Sequence, residues 1–207
     1  ATIVTLLSST ATFADVSSAE VWADWKGYLT GFGYAVDAND KTTDSGITVD
    51  ELSITMDLPK EGESIKLDFG TLSFVDQRDG TVSVVMADHM PMRINSGDEF
   101  SATVSYDTKG LEMVVSGTAD EMAYDFSADE AKFSVTDMTI EDQKIADPKI
   151  EMVMFNMVGN ATSAMKDIRH IMQTIKTERI EYNVAVTVPK DNASIMVKGE
   201  INDLAFT

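Results

Sequence analysis

Apolar and polar residues alternate along much of this chain, and this alternation limits what it can fold into more than any other feature. Three stretches show it most clearly, at residues 52–58, 100–106 and 182–188. Successive side chains of a β-strand point to opposite faces, so alternation places one face of a sheet on a core and the other in water. The sequence therefore predicts a mainly β chain, a β-rich α+β fold built on an antiparallel sheet.

A strand-turn-strand unit recurs along the chain. Residues 52–69 and 182–199 share an alternating strand, a turn of proline, lysine and an acidic residue, and a Ser-Ile return. A third copy at 100–124 is predicted from an ungapped alignment of its segment 113–124 with 195–206. Recurrence of one supersecondary unit is typical of stacked hairpins, so we expect an extended, curved antiparallel sheet of repeated hairpins.

Turn signals separate the predicted strands. The hairpins predicted at 52–69 and 182–199 reverse at Pro-Lys-acid turns, which begin at Pro59 and Pro189. Residue types that tolerate positive φ or carry a solvated charge mark four further turns and the second Pro-Lys-acid turn again. These lie at Asp79-Gly80, Lys109-Gly110, Asp129-Glu130, Glu141-Asp142 and Asp191-Asn192. The strands between the turns are predicted at 47–58, 64–75, 81–87, 99–107, 111–117, 121–128, 131–140, 149–157, 180–188 and 193–206.

The segment 17–33 has the pattern of an amphipathic helix. Ser17 and Glu20 have the spacing of a capping box, in which each side chain satisfies a backbone N–H at the helix start. An apolar stripe follows at three- and four-residue spacing, and glycines end it. The stripe consists of Trp22, Trp25, Leu29 and Phe32, and the glycines are Gly31 and Gly33. We expect both tryptophans to pack the helix onto the sheet, while ligand stacking is the alternative.

Residues 161–177 interrupt the period of two. Four apolar side chains in this segment have helical spacing, and Asn160 is placed to cap the start of a helix. They are Met165, Ile168, Met172 and Ile175. The prediction is a second amphipathic helix near 161–177, and the alternative is a long edge strand.

Residues 1–14 resemble the back half of a secretory signal, because an apolar stretch is followed by small residues and then by Asp15. The prediction is a signal-peptide remnant that is cleaved after Ala14. The alternative is that Thr2–Leu7 forms the first strand of the fold. Residues 15–207 are predicted to form a single β-rich domain, either complete or the N-terminal part of a longer repeat protein. No other segment approaches the ~20 continuous apolar residues of a transmembrane helix.

Charge and cysteine content exclude several classes of partner and site. The 207 residues include 35 acidic and 16 basic side chains, which gives a formal charge of −19. Such a chain is repelled by nucleic-acid phosphates, whose binding begins with clustered Lys and Arg, so nucleic acid is excluded as a partner. We interpret the acidity as a solubility feature. The absence of cysteine excludes disulfides, thiolate nucleophiles and Cys-based metal sites.

No pattern in the sequence predicts an enzyme, a cofactor or a metal site. The two histidines, His89 and His170, lack zinc-ligand spacing, and no serine lies in a nucleophile-elbow motif. One acidic segment departs from the EF-hand calcium template, so we interpret it as a solvated loop. Its residues are Asp37, Asn39, Asp40 and Asp44.

Methionine provides the compositional hint of a ligand site. The chain contains 13 methionines, and this flexible, polarizable side chain suits a surface that accommodates varied apolar partners. Four methionines and the two helix tryptophans are the predicted ligand-lining residues. They are Met90, Met92, Met152, Met154, Trp22 and Trp25. Ordinary gap filling in a β core is the alternative for the methionines.

Several short motifs along the chain form a recognisable set. They are Ala14-Asp15-Val16 with Glu20-Val21-Trp22, Gly31-Phe32-Gly33-Tyr34, Asp79-Gly80-Thr81-Val82, Ser116-Gly117-Thr118 and Tyr124-Asp125-Phe126-Ser127-Ala128. Together they resemble the alphaproteobacterial family catalogued as domain of unknown function 2125, over nearly the whole chain. The resemblance implies an exported envelope protein, commonly longer than this chain, with no catalytic residues to carry over. A looser likeness, in architecture only, links the chain to AsmA-like envelope proteins, whose repeated β units form lipid-conducting grooves.

The sequence and this resemblance lead to one expectation and two alternatives. We expect a non-enzymatic protein exported to the periplasm of a Gram-negative bacterium, where a concave β surface shelters or transfers an apolar ligand such as lipid. The first alternative is a structural or protein-interaction module of the cell envelope that pairs with a partner by β-augmentation and has no small-molecule ligand. The second is an envelope hydrolase with paired carboxylates.

Overall fold

A computed structural model of the protein describes residues 15–59, 63–96, 99–165, 168–188 and 193–207. Over these residues the chain forms one helix and twelve strands of a single antiparallel sheet. Helix α1 spans Ser18–Gly31, and the strands are β1 (Ala35–Thr43), β2 (Gly46–Asp57), β3 (Glu63–Asp76), β4 (Val82–Val85), β5 (His89–Ser96), β6 (Phe100–Lys109), β7 (Glu112–Thr118), β8 (Glu121–Ile140), β9 (Gln143–Lys144), β10 (Lys149–Met165), β11 (Arg169–Val188) and β12 (Ala193–Phe206). The mainly β, antiparallel fold predicted from the alternation is confirmed.

Three predictions fall on other parts of the chain. The signal remnant at 1–14, with its alternative strand at Thr2–Leu7, lies outside the described residues. The same holds for Lys60-Glu61 in the first Pro-Lys-acid turn and for 189–192, which contain the second turn and Asp191-Asn192.

The strands follow one another as a continuous meander. Strands β1, β2 and β3 pair in order, and β4 and β5 then lie end to end along β3. Strands β6 and β7 likewise lie end to end along β8, and β10, β11 and β12 complete the sheet. Strand β4 also pairs with β7, β5 with β6, and the short β9 with the end of β8. Each long strand therefore neighbours the one before it, as hairpin connections require.

A crease crosses this sheet, where the ladder of paired residues skips one position in each of β10, β11 and β12 and two positions, Gly110 and Leu111, between β6 and β7. The skipped positions lie in one row across β6–β7, β8, β10, β11 and β12, with the same pairing register on both sides. The row contains Gly110, Asp129, Asn156, Glu178 and Asp203. Alternate members of the row have left-handed backbone, with φ of 61° at Gly110, 49° at Asn156 and 54° at Asp203. Glycine, asparagine and aspartate are the residues that adopt this conformation most readily.

The crease keeps apolar side chains on one face although their spacing changes. In β8 the buried alanines are Ala128 and Ala131, which lie three positions apart instead of two or four. In β10 Met154 and Met157 show the same offset, and all four side chains belong to one packed cluster. A local irregularity that adds one residue re-aims the side chains that follow it. The apolar face is therefore continuous across the crease.

Helix α1 begins and ends as its sequence predicts. The Oγ atom of Ser17 accepts a hydrogen bond from the backbone N–H of Glu20, and the Glu20 carboxylate accepts one from the Ser17 backbone N–H at 2.8 Å. This confirms the capping box. Gly33, with φ of 85°, follows the C-terminal cap residue Phe32. A residue with a Cβ would be strained in that conformation, so glycine ends the helix here.

The helix packs on the sheet through its tryptophans. The rings of Trp22 and Trp25 lie 5.8 and 5.3 Å from the ring of Phe74 on β3. Trp22 is buried in the main core cluster, and complete burial of a large apolar side chain stabilises a fold by roughly 1.5–3 kcal/mol. Asp76 on β3 accepts hydrogen bonds from the backbone N–H and hydroxyl of Ser18, at 2.6 and 3.0 Å. Phe32 is 63% exposed, so its predicted place in the packed stripe is wrong, because the helix has ended there.

The second helix predicted near 161–177 is wrong. Residues 161–165 belong to β10 and residues 169–177 to β11. Residues 161–164 and 175–177 are paired on both sides, whereas 169–174 pair with β10 alone within the described ranges. The alternative, a long edge strand, is confirmed in part: residues 161–165 and 169–177 are strand, but they are divided between β10 and β11, and the edge is formed by residues 169–174. Three of the four residues with helical spacing, Met165, Ile168 and Met172, are exposed, so that spacing marks no buried helical face. Pairing with long neighbouring strands overrides a weak helical pattern, because intrinsic propensity is only a weak prior.

The three copies of the repeated unit do not fold alike. Residues 52–69 and 182–199 lie in the β2–β3 and β11–β12 hairpins, as predicted. The third copy at 100–124 differs, because β6 and β7 lie end to end instead of pairing with each other. Segment 113–124 spans the β7–β8 hairpin, whereas the aligned segment 195–206 lies within one strand. The turn predicted at Lys109-Gly110 is wrong, because Gly110 kinks the chain at the crease without reversing it.

Other corrections concern polar segments that form strands. Asp37, Asn39 and Asp40 lie in β1, not in a solvated loop, because an edge strand keeps its polar side chains in water. Strand β5 was not predicted. The turn predicted at Asp129-Glu130 is wrong, because both residues lie inside the continuous β8. The turns at Asp79-Gly80 and Glu141-Asp142 are confirmed. In the described ranges, no helix has both the length and the hydrophobicity needed to cross a membrane.

Candidate ligand-binding groove

The sheet curves around α1. Trp25 contacts Phe74 on β3, while its neighbour Asp24 forms an ion pair with Arg169 on β11. Five strand-to-strand steps separate β3 from β11, which corresponds to about 24 Å across a flat sheet at ~4.8 Å per step. A helix is only about 10–12 Å wide with its side chains. The neighbouring residues Asp24 and Trp25 can therefore contact β11 and β3 only if the sheet bends around α1.

A groove of about 350 Å³ lies between α1 and the inner face of the sheet. Its floor and walls are formed mainly by apolar and aromatic side chains from seven elements. These are Trp25 and Leu29 on α1, Ile54 on β2, Phe69 on β3, Met113 on β7, Tyr124 and Phe126 on β8, and Ala161 and Ile171 near the junction of β10 and β11. Alternation along each strand points every second side chain inward, which explains why so many strands contribute to one apolar surface.

A polar cluster lies at the helix side of the groove. Arg169 contacts Asp24 through both ends of its guanidinium group, with Nη2–Oδ1 and Nη1–Oδ2 distances of 2.7 and 2.8 Å. Nη1 also donates a hydrogen bond to Ser163 Oγ at 3.1 Å, and the guanidinium carbon lies 5.3 Å from the centre of the Tyr28 ring. The Tyr124 hydroxyl donates a long hydrogen bond of 3.4 Å to Asp24. Two-point contacts of this kind are the strongest form of the arginine–carboxylate pair.

The environment fixes the protonation states in this cluster. Burial, and then the nearby negative charge of Asp24, raise the pKa of Tyr124 to about 12, so its hydroxyl is neutral at physiological pH. The hydrogen bond to Asp24 raises the pKa of Arg169 further above its ordinary value, despite the opposing effect of burial. The groove therefore contains one positive and one negative charge in direct contact, together with a neutral phenol.

The structure places the six sequence-predicted lining residues in different surroundings. Of these six residues, all of which lie in the described ranges, Trp25 alone lines the groove, and Trp22 belongs to the main core cluster. The four methionines lie on the far side of the crease from α1. Met90 is buried, Met92 and Met154 are half-buried, and Met152 is 37% exposed. Met90 and Met152 share one cross-strand row with Tyr106, Phe133 and Tyr182.

Sequence reasoning missed most of the residues that line the groove. Met113, Tyr124 and Phe126 lie in strands that were predicted, and their alternation marks them as inward-facing. The partnership of Asp24 with Arg169 has no local signal, because it depends on how far the sheet curves.

A serine, a histidine and an aspartate meet elsewhere, where the start of β5 pairs with the end of β6, without the geometry of a catalytic triad. His89 Nδ1 lies 2.6 Å from Asp107 Oδ1 and 3.2 Å from Ser105 Oγ, so both partners meet the same ring nitrogen. A triad needs the serine on Nε2 and the carboxylate on Nδ1. Burial raises the pKa of Asp107, but hydrogen bonds from His89 and Ser105 outweigh that effect and lower it overall. This cluster is best described as a cross-strand polar contact.

The remaining acidic and histidine residues form no metal centre within the described ranges. In that part of the chain no three His, Asp or Glu side chains converge. His170 lies exposed on β11, and Asp44 lies exposed in the turn between β1 and β2.

Comparisons with protein-family models, with curated proteins and with solved structures find no match to this chain. The resemblance to the family of domain of unknown function 2125 therefore stays a prediction.

Proposed function

We propose that this protein is a non-enzymatic binding protein that shelters one apolar chain of a lipid-like ligand in the groove between α1 and the curved sheet. The observation that carries the proposal is the lining of the groove, where aromatic and aliphatic side chains from one helix and several strands converge. Ligand sites are typically concave, mostly apolar and equipped with a few placed polar groups. The Asp24–Arg169 pair and the Tyr124 hydroxyl are such groups.

The size of the groove favours a single chain over a bulky ligand. Its volume of about 350 Å³ is near the lower end of the roughly 300–1,000 Å³ range of small-molecule sites. Each methylene moved from water to apolar surroundings contributes about 0.8 kcal/mol, which is about fourfold in affinity. Affinity should therefore rise with chain length until the groove is filled.

The proposed cellular setting is the envelope of a Gram-negative bacterium, with the protein exported to the periplasm. Support comes from the signal-like composition of residues 1–14 and from the resemblance to an envelope protein family. A non-enzymatic role is supported by the arrangement of Ser105, His89 and Asp107, which does not suit nucleophilic catalysis.

Filling the groove tests the proposal directly. Decanol binding can be measured as displacement of an environment-sensitive apolar fluorophore. Ala161 lines the groove, so Ala161→Trp should lower the affinity for decanol in this assay at least about tenfold, equivalent to ~1.4 kcal/mol. Ala23→Trp adds the same side chain at an exposed position of α1 and should leave binding unchanged. Equal binding by the unaltered chain and both variants would place the ligand elsewhere and reject the proposal.

A free sheet edge favours a second candidate, an envelope interaction module. Strand β12 pairs with β11 on one side and, within the described ranges, with no strand on the other. Several apolar side chains of β12 are exposed, among them Ile195, Val197 and Ile201. An open edge of this kind can accept an extended strand of a partner protein. A stoichiometric envelope partner lost by Val197→Lys but kept by Ala161→Trp would favour this candidate.

A further inference from the structure

We infer that the groove selects amphiphiles whose polar end is uncharged, and discriminates against anionic ones such as fatty-acid carboxylates. This inference rests on the proposed function, because it concerns the ligand class of the same groove. Its starting point is the pairing of the charged side chains that line the groove. Among the described residues that line the groove, Asp24 and Arg169 are the two with charged side chains, and they form an ion pair with each other.

Arg169 is already engaged in the directions that an anion would use. A carboxylate binds arginine best by meeting two N–H groups side by side, and Asp24 occupies that arrangement on Nη1 and Nη2. Ser163 Oγ takes a further hydrogen bond from Nη1. An anionic ligand would have to displace Asp24, leaving a carboxylate with only about 15% of its side chain exposed and without its partner. Leaving a charge without its partner in such a site is strongly unfavourable.

The electrostatic field of the whole chain also disfavours anionic ligands. With a formal charge of −19, the protein repels anions before they reach the groove and after they enter it. The neutral Tyr124 hydroxyl, which donates to Asp24, can accept a hydrogen bond from an alcohol or amide. The Ser163 hydroxyl, which accepts from Arg169, can donate one to an alcohol, ester or amide, so the ion pair stays intact. An uncharged polar end therefore loses less on leaving water than a charged end does.

Decanol and decanoate provide the matched pair of ligands for the test, because they share a chain length and differ in the charge of the polar end. At pH 7.5 we expect decanol to bind the unaltered chain at least about tenfold more tightly than decanoate, measured by displacement of the same fluorophore. Asp24→Asn keeps the side-chain shape and frees the guanidinium of Arg169. This variant should bind decanoate at least about tenfold more tightly than the unaltered chain does.

Asp44→Asn is the control, because it removes the same charge from an exposed turn that does not line the groove, and it should leave the preference for decanol intact. If neither ligand binds the unaltered chain, the proposed function fails and this inference falls with it. If decanoate binds the unaltered chain as tightly as decanol, the inference is overturned while the groove remains a binding site. If decanol is preferred but Asp24→Asn gives decanoate no gain, the ion pair is not the source of selectivity and the inference is again overturned. The comparison in the unaltered chain decides the preference even if the variant does not fold.

Discussion

Asp24 on α1 and Arg169 on β11 are separated by 145 positions in the sequence, yet their side chains form a two-point ion pair. Both side chains are largely buried, at 15% and 16% exposed. This pair is the contact through which α1, docked on β3 at its other side, reaches the far part of the curved sheet. The width of the groove therefore depends on it.

Removing one member of this pair should be costly. Arg169→Met leaves Asp24 without its partner, and we expect a loss of about 3 kcal/mol in the free energy of unfolding, at the lower end for buried pairs because some exposure remains. A double-mutant cycle with Asp24→Asn, measured by urea unfolding, should give a coupling energy of at least about 1.5 kcal/mol.

The exposed pair of Lys41 and Asp50 is the matched control. Its N–O distance of 3.0 Å is similar, but 69% of the lysine side chain is exposed. Exposed pairs are typically worth about 0.2–1 kcal/mol, so the same cycle here should give a smaller coupling. Equal coupling at the two sites would contradict a structural role for the Asp24–Arg169 pair.

Gly46 should tolerate no side chain at the β1–β2 turn. Its φ is 138°, and an added Cβ would collide with the carbonyl oxygen of Phe74 and lie 3.2 Å from Ser18 Cβ. Gly46→Ala should therefore lower the free energy of unfolding by about 3 kcal/mol or more. Gly27 in α1 has open space around it, so Gly27→Ala should raise stability by up to about 1 kcal/mol. Thermal unfolding that ranks the two variants in the opposite order would contradict the close approach of Gly46 to the Phe74 carbonyl.

The crease can be tested with two exposed asparagines of β10. Asn156 has φ of 49° and donates a hydrogen bond to Glu178 at 2.5 Å, whereas Asn160 has ordinary strand backbone. Asn156→Val should cost about 2 kcal/mol, because left-handed backbone is strained for a β-branched residue. Asn160→Val should change stability by less than about 0.5 kcal/mol or increase it, since valine favours strands. Similar costs at both positions in denaturant unfolding would mean that no crease forms at Asn156.

Ionisation of Tyr124 should link stability to alkaline pH. Its pKa is about 12 in the folded protein and 10.0 for an ordinary tyrosine, so the folded state holds this proton more tightly than the unfolded state does. The resulting stability is fully present below pH 10 and is lost as pH rises toward 12, up to about 2–3 kcal/mol. Tyr124→Phe should therefore lose less stability than the unaltered chain between pH 9 and 11, measured by urea unfolding. An unchanged pH dependence in the variant would show that Tyr124 is not buried beside Asp24.

Local chemistry made α1 and most strands predictable. The capping box of Ser17 and Glu20 satisfies N–H groups within one turn, and the alternation in β2 and β11 reports the two faces of a strand at neighbouring positions. Both signals act between residues close in sequence, so they can be recognised before the fold is known.

Features that depend on distant partners were not predictable. Strand β1 is polar because it lies at an edge, and the segment predicted as a second helix became strand because β8 and β10 hold it in the sheet. The crease shifts the alternation by one residue at Asp129 and Asn156. Two strands were therefore predicted where β8 is one, and the strand predicted at 149–157 ends before β10 does. The groove depends on the curvature of the whole sheet, so the methionine content pointed to other positions.

Fluorescence of Trp25 offers the most direct test of the groove. Trp22→Phe leaves Trp25 as the single tryptophan, and Trp25 lines the groove, so a decanol analogue with a brominated chain should quench it in a saturable way that excess decanol reverses. The reciprocal variant Trp25→Phe keeps only the buried Trp22 and should be quenched much less. Absence of saturable quenching of Trp25, or equal quenching of both tryptophans, would contradict binding of an apolar chain between α1 and the sheet.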